Sequence, residues 1–274
     1  IYNLINRNFK QLIWTADNRT MLQKISYFNY LRKNSLISLV DGISVYTDDV
    51  KEIMMAKFNL KSDFIGVCPN IQNELSLNRD LPANSISTLP LLIKILLNQQ
   101  VILFVGRLAI VKNIPHLIQA FKLAEKKGLN AKLVIIGDGD LKEELLASVI
   151  GNDNIIMTGT IQGDELKLFY KVADLFVLPS LFEPFGAVVN ESLIHGTPVF
   201  CSIKAGATNL IKSGINGGLI DPEGDADKLA EMLFSFFKNK SAINKSLNKN
   251  SLMLKPFNSY ASKWLPIGLR QESK

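Results

Sequence analysis

The sequence predicts an α/β protein built on a Rossmann-like parallel sheet, and three observations carry that prediction. From residue 101 onward, short apolar runs alternate with helical stretches at the spacing of right-handed βαβ units. Several of those runs are continuously apolar, as strands buried on both faces must be. Glycines and charged residues gather just after the runs, so one end of the predicted sheet is glycine-rich and polar while its body is apolar.

The elements follow in order. Residues 1–40 have a loosely helical pattern rich in Asn, Lys and aromatics. Residues 43–46 predict a short strand, and Asp48 and Asp49 predict a helix start, with the helix running to Phe58. Residues 64–68 are a second apolar run. The polar stretch 71–87, with Asn73, Asn78, Pro82 and Asn84, predicts a linker. Val101–Val105 then predicts a buried strand and 115–126 a helix with Leu117, Ile118, Phe121 and Ala124 on one face. Strands are predicted at 133–136, 155–157, 175–178, 198–201 and 218–220. Helices are predicted at 141–148, 164–172, 187–195 and 225–237, with a short one at 208–212.

Composition narrows the class. In 274 residues the apolar fraction is 47% and the charged fraction 20%, which excludes an intrinsically disordered chain. The formal charge of +6 suits anionic small molecules or an anionic lipid surface. Nucleic acid has no support beyond charge, because no reading motif accompanies it. Cys68 and Cys201 stand far apart, without CxxC spacing, and the only histidines are His116 and His195, so no zinc site is expected. No secretory pattern opens the sequence, and the most apolar stretch, 89–108, is broken by Lys94 and Arg107. The expected compartment is the cytoplasm.

In an open parallel sheet, ligands bind beyond the carboxyl ends of the strands. Gly106 and Arg107 follow the first strand of the regular region, with Lys112 and Asn113 just behind. Two cations over one crevice suit a diphosphate, and a glycine lets a ligand approach the backbone; the same residues also read as a solvated basic loop. Glu183 follows the fourth strand, and Glu191 lies on the next helix. Carboxylates accept hydrogen bonds from sugar hydroxyls, whereas the alternative readings are a helix-start acid and a surface glutamate. The helix start at Phe185, Gly186 and Ala187 offers free amides to a phosphate. Asp138-Gly139-Asp140 looks like a metal-binding pair, but Glu143 three residues after Asp140 favours a helix cap. Gly137 is expected to line the crevice through its backbone. His195, at a helix end, is expected to complement the dipole.

These residues resemble glycosyltransferase family 4. The likeness rests on Gly106-Arg107-Leu108 with Lys112-Asn113, on Leu178-Pro179-Ser180, Glu183-Pro184-Phe185-Gly186 and Glu191, on Gly196-Thr197-Pro198-Val199, and on Gly217, Gly218, Asp221 and Pro222. It spans residues 99–240, with a fainter likeness through 41–70. The resemblance implies a GT-B type donor-binding domain and metal-independent, retaining transfer of a sugar from a nucleotide donor, with UDP as the expected nucleotide. It implies that Arg107 and Lys112 neutralise the departing diphosphate, that Glu191 holds the ribose, and that Glu183 contacts the donor sugar. Backbone around Phe185, Gly186 and Ala187 would meet sugar or phosphate, and backbone at Thr160 and Ile161 would meet the base. No cofactor beyond this nucleotide-sugar substrate is implied. The implied acceptor is a glycan or lipid-linked molecule of surface polysaccharide or lipopolysaccharide synthesis, with peripheral contact to the inner membrane face. Ser192 and Asn209 depart from the family's usual alanine and acid. Residues 1–80 hold neither the family's amino-terminal glycine-rich loop nor a histidine. The expected organisation is therefore an incomplete amino-terminal domain with linker over 1–80, the nucleotide-sugar domain over 81–250 and a helical tail over 251–274. The alternative is a donor-binding domain without turnover.

Overall fold

The computed structural model describes residues 12–15, 22–68 and 90–239. The predicted linker at 71–87 and the tail at 251–274 lie outside these residues. The described residues divide into two compact units, one of 12–15 with 22–68 and one of 90–239.

In the first unit three short parallel strands, β1 (Leu12–Trp14), β2 (Gly42–Val45) and β3 (Ile65–Val67), pair in that order. Helix α1 (Tyr27–Ile37) starts at Ser26, whose hydroxyl accepts from the Asn29 amide, and α2 (Asp48–Phe58) ends at Asn59 in a left-handed conformation, φ 51°. Asp48 and Asp49 occupy the first turn of α2, where the dipole favours acids; the capping position itself is Thr47. Leu22, Ile43, Val45, Met54 and Ile65 close the core, and Tyr30 stacks on Phe58 at 5.1 Å. Part of the region expected to be helical is strand β1, which is too short to show a period.

The second unit opens with helix α3 (Leu91–Leu96) and continues as β4 (Val101–Val105), α4 (Ile114–Lys126), β5 (Lys132–Ile136), α5 (Lys142–Val149), β6 (Ile155–Gly159), α6 (Gly163–Val172), β7 (Leu175–Leu178), α7 (Ala187–Ile194), β8 (Val199–Ser202), β9 (Gly217–Ile220) and α8 (Ala226–Lys238). The six strands are parallel in the order β6-β5-β4-β7-β8-β9. Both faces of the sheet are covered. Ile102 and Phe104 of β4 pack with Leu117 and Phe121 of α4 and Leu229 and Leu233 of α8, while Val101 and Leu103 pack on the other side with Ile93, Phe169 and Val189. This double burial is why the strand sequences are apolar without alternation. The short helix expected at 208–212 is a 3-10 turn, Gly206–Leu210.

The strand order reverses direction between β4 and β7. Chain leaving β4 travels outward to β5, and chain leaving β7 travels the other way to β8, so a crevice opens between the two loops at that point.

Candidate functional site

The crevice is framed by the loop after β4 and the loop after β7. The first runs through Gly106 and Arg107 into a 3-10 turn, Ile110–Lys112. Asn113 then adopts a left-handed conformation, φ 54°, and Pro115 sits in the first turn of α4. The Asn113 side-chain amide donates to the Pro222 carbonyl at 2.7 Å, anchoring this turn to the loop after β9. A backbone bond from the Leu181 amide to the Val111 carbonyl, 2.8 Å, ties the two crevice loops together.

Across that tie the Lys112 ammonium forms an ion pair with the Glu183 carboxylate. Both are largely shielded, with side chains 20% and 13% exposed. The two residues are separated by more than seventy positions, and only the strand reversal makes them neighbours. Glu183 is fixed from behind as well, since its carbonyl accepts from the Gly206 amide at 3.0 Å.

Arg107 points to a different partner. Its guanidinium meets Asp140 at 2.9 Å, and the pair is 69% and 79% exposed. Asp140 therefore does not cap α5, which begins after Leu141 without a side-chain cap. Asp138 pairs with Lys142 at 2.7 Å and accepts from the Gly139 amide. These bonds hold its carboxyl below the usual range, that of Lys142 foremost. Both carboxylates of the Asp-Gly-Asp segment thus answer cations.

Gly186, φ 94°, turns the chain into α7, and Phe185 before it is buried. Glu191 lies in the second turn of α7 and is only 6% exposed. Its Oε2 accepts from the Tyr170 hydroxyl of α6 at 2.8 Å. Burial raises the Glu191 pKa and the tyrosine bond opposes that rise. Burial, then the neighbouring carboxylate, lifts the Tyr170 phenol well above its ordinary value. His195 ends the same helix, stacks on the Tyr170 ring at 5.6 Å and directs Nδ1 to the Glu191 carbonyl at 2.7 Å. Burial lowers the His195 pKa, and the ring meets the end of the helix through that bond to a last-turn carbonyl.

The structure therefore brings Lys112 and Glu183 into contact, and sets Gly186 and Ala187 at the start of the helix that carries Glu191. Gly106 and Gly137 are packed against each other: a Cβ on Gly137 would lie 1.9 Å from the Gly106 carbonyl oxygen. Thr160 and Ile161 follow β6, the edge strand, two strands from β4. An apolar cavity of about 590 Å³, lined by Pro198, Leu219, Met232 and Phe236 among others, lies at the amino ends of β8 and β9, the end of the sheet away from the crevice. Among the described residues, no group of three or more His, Cys, Asp or Glu is placed to hold a metal ion.

Residues 93–252, more than half of the chain, match the family described as Glycosyl transferases group 1. The chain belongs to the glycosyl transferases group 1 family. It is 42% identical over 130 residues to an uncharacterized glycosyltransferase of Methanocaldococcus jannaschii, covering 46% of this chain and 33% of the relative. It is 30% identical over 209 residues to the alpha-monoglucosyldiacylglycerol synthase of Streptococcus pneumoniae, covering 75% of this chain and 47% of that protein. Among solved structures it is similar to the Anabaena protein HepE in complex with UDP, with a TM-score of 0.73, 18% identity, and coverage of 98% of this chain and 72% of the other. The aligned part spans about a third to a half of these curated relatives. The fold is that of the GT-B glycosyltransferases, as the family resemblance implies.

Within this group 1 domain, sequence reasoning missed Tyr170 and Asp140 as partners of the site. A buried acid on an apolar helix face announces that some partner exists, but which one is a matter of tertiary packing. The raised Glu191 pKa has a stability consequence. A carboxyl whose folded pKa exceeds its unfolded value contributes stability that is complete below the unfolded pKa and is lost as pH rises through the folded one. Replacing Glu191 with Gln should therefore raise the melting temperature relative to wild type, and the gap should widen as pH rises from the ordinary carboxyl range through the folded pKa of Glu191 and then level off. Thermal melts across that range check it; a gap that narrows on raising the pH contradicts it.

Proposed function

We propose that this group 1 domain binds a nucleotide-sugar donor, with UDP as its nucleotide, in the crevice between β4 and β7 and supports retaining, metal-independent transfer of the sugar to a glycan or lipid-linked acceptor. The observation that carries the reading is the Lys112–Glu183 pair, assembled from two loops at the reversal of strand order. An ammonium has three donors, so Lys112 can keep its bond to Glu183 while giving another to a phosphate oxygen. In the transfer step the bond from the anomeric carbon to the diphosphate breaks, an acceptor hydroxyl oxygen bonds to that carbon, and the hydroxyl proton passes to the departing diphosphate oxygen. Lys112 and Arg107 stabilise the negative charge gathering on the leaving diphosphate. Arg107 is reachable because an ion pair as exposed as Arg107–Asp140 contributes about 1 kcal/mol or less, little beside a diphosphate held by a guanidinium fork. Glu191 accepts from the ribose hydroxyls, Glu183 faces the donor sugar, and the first amides of α7 receive sugar or phosphate oxygens. Backbone at Thr160 and Ile161 meets the base.

The acceptor class is supported by the Streptococcus pneumoniae relative, whose name describes a glycosylated diacylglycerol, and by a Salmonella typhimurium relative named lipopolysaccharide 1,2-N-acetylglucosaminetransferase, 35% identical over 129 residues. A net charge of +6 suits contact with the anionic inner face of a membrane, where the protein would act from the cytoplasm. Among the described residues no helix is long and apolar enough to cross a membrane. Calorimetric titration with UDP-glucose and UDP-N-acetylglucosamine, run beside a transfer assay, tests the reading. Saturable binding, with transfer of the sugar to a lipid or glycan acceptor and release of UDP, is expected. Binding without product selects a donor-binding domain without turnover, and absence of binding to any nucleotide sugar removes the proposal.

A further inference from the structure

Resting on the donor-site reading above and deepening it, we infer that Tyr170 is a positioning residue, whose hydroxyl aims the Glu191 carboxylate at the donor's ribose. Glu191 is 6% exposed and its side chain has several rotatable bonds. A bond of 2.8 Å from the Tyr170 hydroxyl to Oε2 fixes one of its two oxygens. The phenol is itself immobile. Its ring lies between His195, stacked at 5.6 Å with an interplanar angle of 12°, and Phe176, tilted at 5.9 Å. Its backbone carbonyl accepts from the Thr197 hydroxyl. His195 in turn donates Nδ1–H to the Glu191 carbonyl at 2.7 Å, since a carbonyl only accepts. Helix α6 thus holds the acid of α7 by its side chain, and the end of α7 holds the ring that does so.

A tyrosine that merely filled space would act through its ring alone. The hydroxyl is separable: it favours the ionised acid, the form that accepts from two ribose hydroxyls, against the burial that favours the protonated form. The other titratable groups on α7, α6 and the elements packed on them are His195 on α7, Asp164, Glu165, Lys167 and Lys171 on α6, Lys94 on α3, and Cys201 on β8, whose thiol burial keeps protonated. Strand β7 and the turn Gly206–Leu210, which also pack on α7, bring none.

The test is calorimetric titration of UDP into wild type, Tyr170→Phe, Glu191→Ala and the double variant, over a range of pH. Tyr170→Phe keeps the stacked ring and should weaken UDP about tenfold at neutral pH, the size of one hydrogen bond to a charged group. Affinity falls as pH falls and Glu191 is protonated; without the hydroxyl that midpoint should move to higher pH. In the Glu191→Ala background, Tyr170→Phe should change affinity by less than about twofold. Weakening of equal size in both backgrounds, or an unmoved midpoint, overturns the positioning role. If Glu191→Ala itself binds UDP as wild type does, it is the donor-site reading that fails. Should Tyr170→Phe not fold, Glu191→Asp serves instead. It withdraws the carboxylate by one methylene and keeps its charge; it should weaken UDP comparably, and affinity equal to wild type overturns the inference.

Discussion

Replacing Lys112 with alanine is expected to lower kcat for sugar transfer by about 10²–10³-fold, the range seen when one fixed donor is removed from the charge that develops in a transition state. The argument rests on position. Lys112 is held in a 3-10 turn clamped on one side by the Val111–Leu181 backbone bond and on the other by Asn113 bonding to Pro222. Its ammonium is already ordered by Glu183, so little reorganisation is left for the reaction step. The loss should fall on kcat more than on KM, because charge on the diphosphate grows as the glycosidic bond breaks. Removing the cation also leaves Glu183 shielded and without this partner, at a cost to stability of about 1–3 kcal/mol. Lys112→Arg retains charge but replaces a compact ammonium with a planar fork, and should recover binding better than turnover. Steady-state kinetics with UDP-sugar donors decide the matter; a kcat within a few-fold of wild type for Lys112→Ala would show that the cation is not at the leaving group.

Much of this site was legible in sequence because two physical constraints write themselves into residue order. Strands buried on both faces must be apolar throughout, so Val101–Val105 and Leu175–Leu178 stand out, and the loops that follow them are then candidates for ligand contact. Gly106, Lys112, Glu183 and Gly186 all fall in those loops. What sequence order does not encode is which distant groups meet. Arg107 finds Asp140 and Glu191 finds Tyr170 only after the sheet has formed. The Asp140–Glu143 spacing suggested a helix cap, yet α5 starts one residue later, with Leu141 at the capping position, and Asp140 meets Arg107 instead. His195 was read as a partner of the helix dipole, and its ring does meet a carbonyl in the last turn of α7. Its stacking on Tyr170, and the lowered pKa that burial brings, come from tertiary packing that residue order does not show.

Gly137→Ala is expected to lower the melting temperature by roughly 10 °C and to weaken donor binding in the protein that still folds. Gly137 ends β5 beside the chain leaving β4, where a Cβ would lie 1.9 Å from the Gly106 carbonyl oxygen and 2.9 Å from its carbon. No rotamer relieves such an overlap, because both partners are backbone. The two loops must separate, and separation strains the bonds from Gly106 to the Ile136 carbonyl and from Gly137 to the Gly159 carbonyl, 3.0 and 2.9 Å. Overpacking of this kind costs about 1–3 kcal/mol, and a left-side φ of 145° adds about 1–2 kcal/mol for a residue with a side chain. At about 2–4 °C per kcal/mol for a domain of this size, the sum gives the stated shift. Gly151 supplies the control. It also has positive φ, 78°, but nothing lies within 4 Å of its Cβ position, so Gly151→Ala should show the conformational part alone, a few degrees, with donor binding intact. The same displacement that destabilises Gly137→Ala moves Gly106 and the chain that places Arg107 and Lys112, which is why binding should fall with stability at one glycine and not at the other. Equal melting shifts for the two variants would mean that the loops separate without resistance, and that contact between them does not set the shape of the crevice.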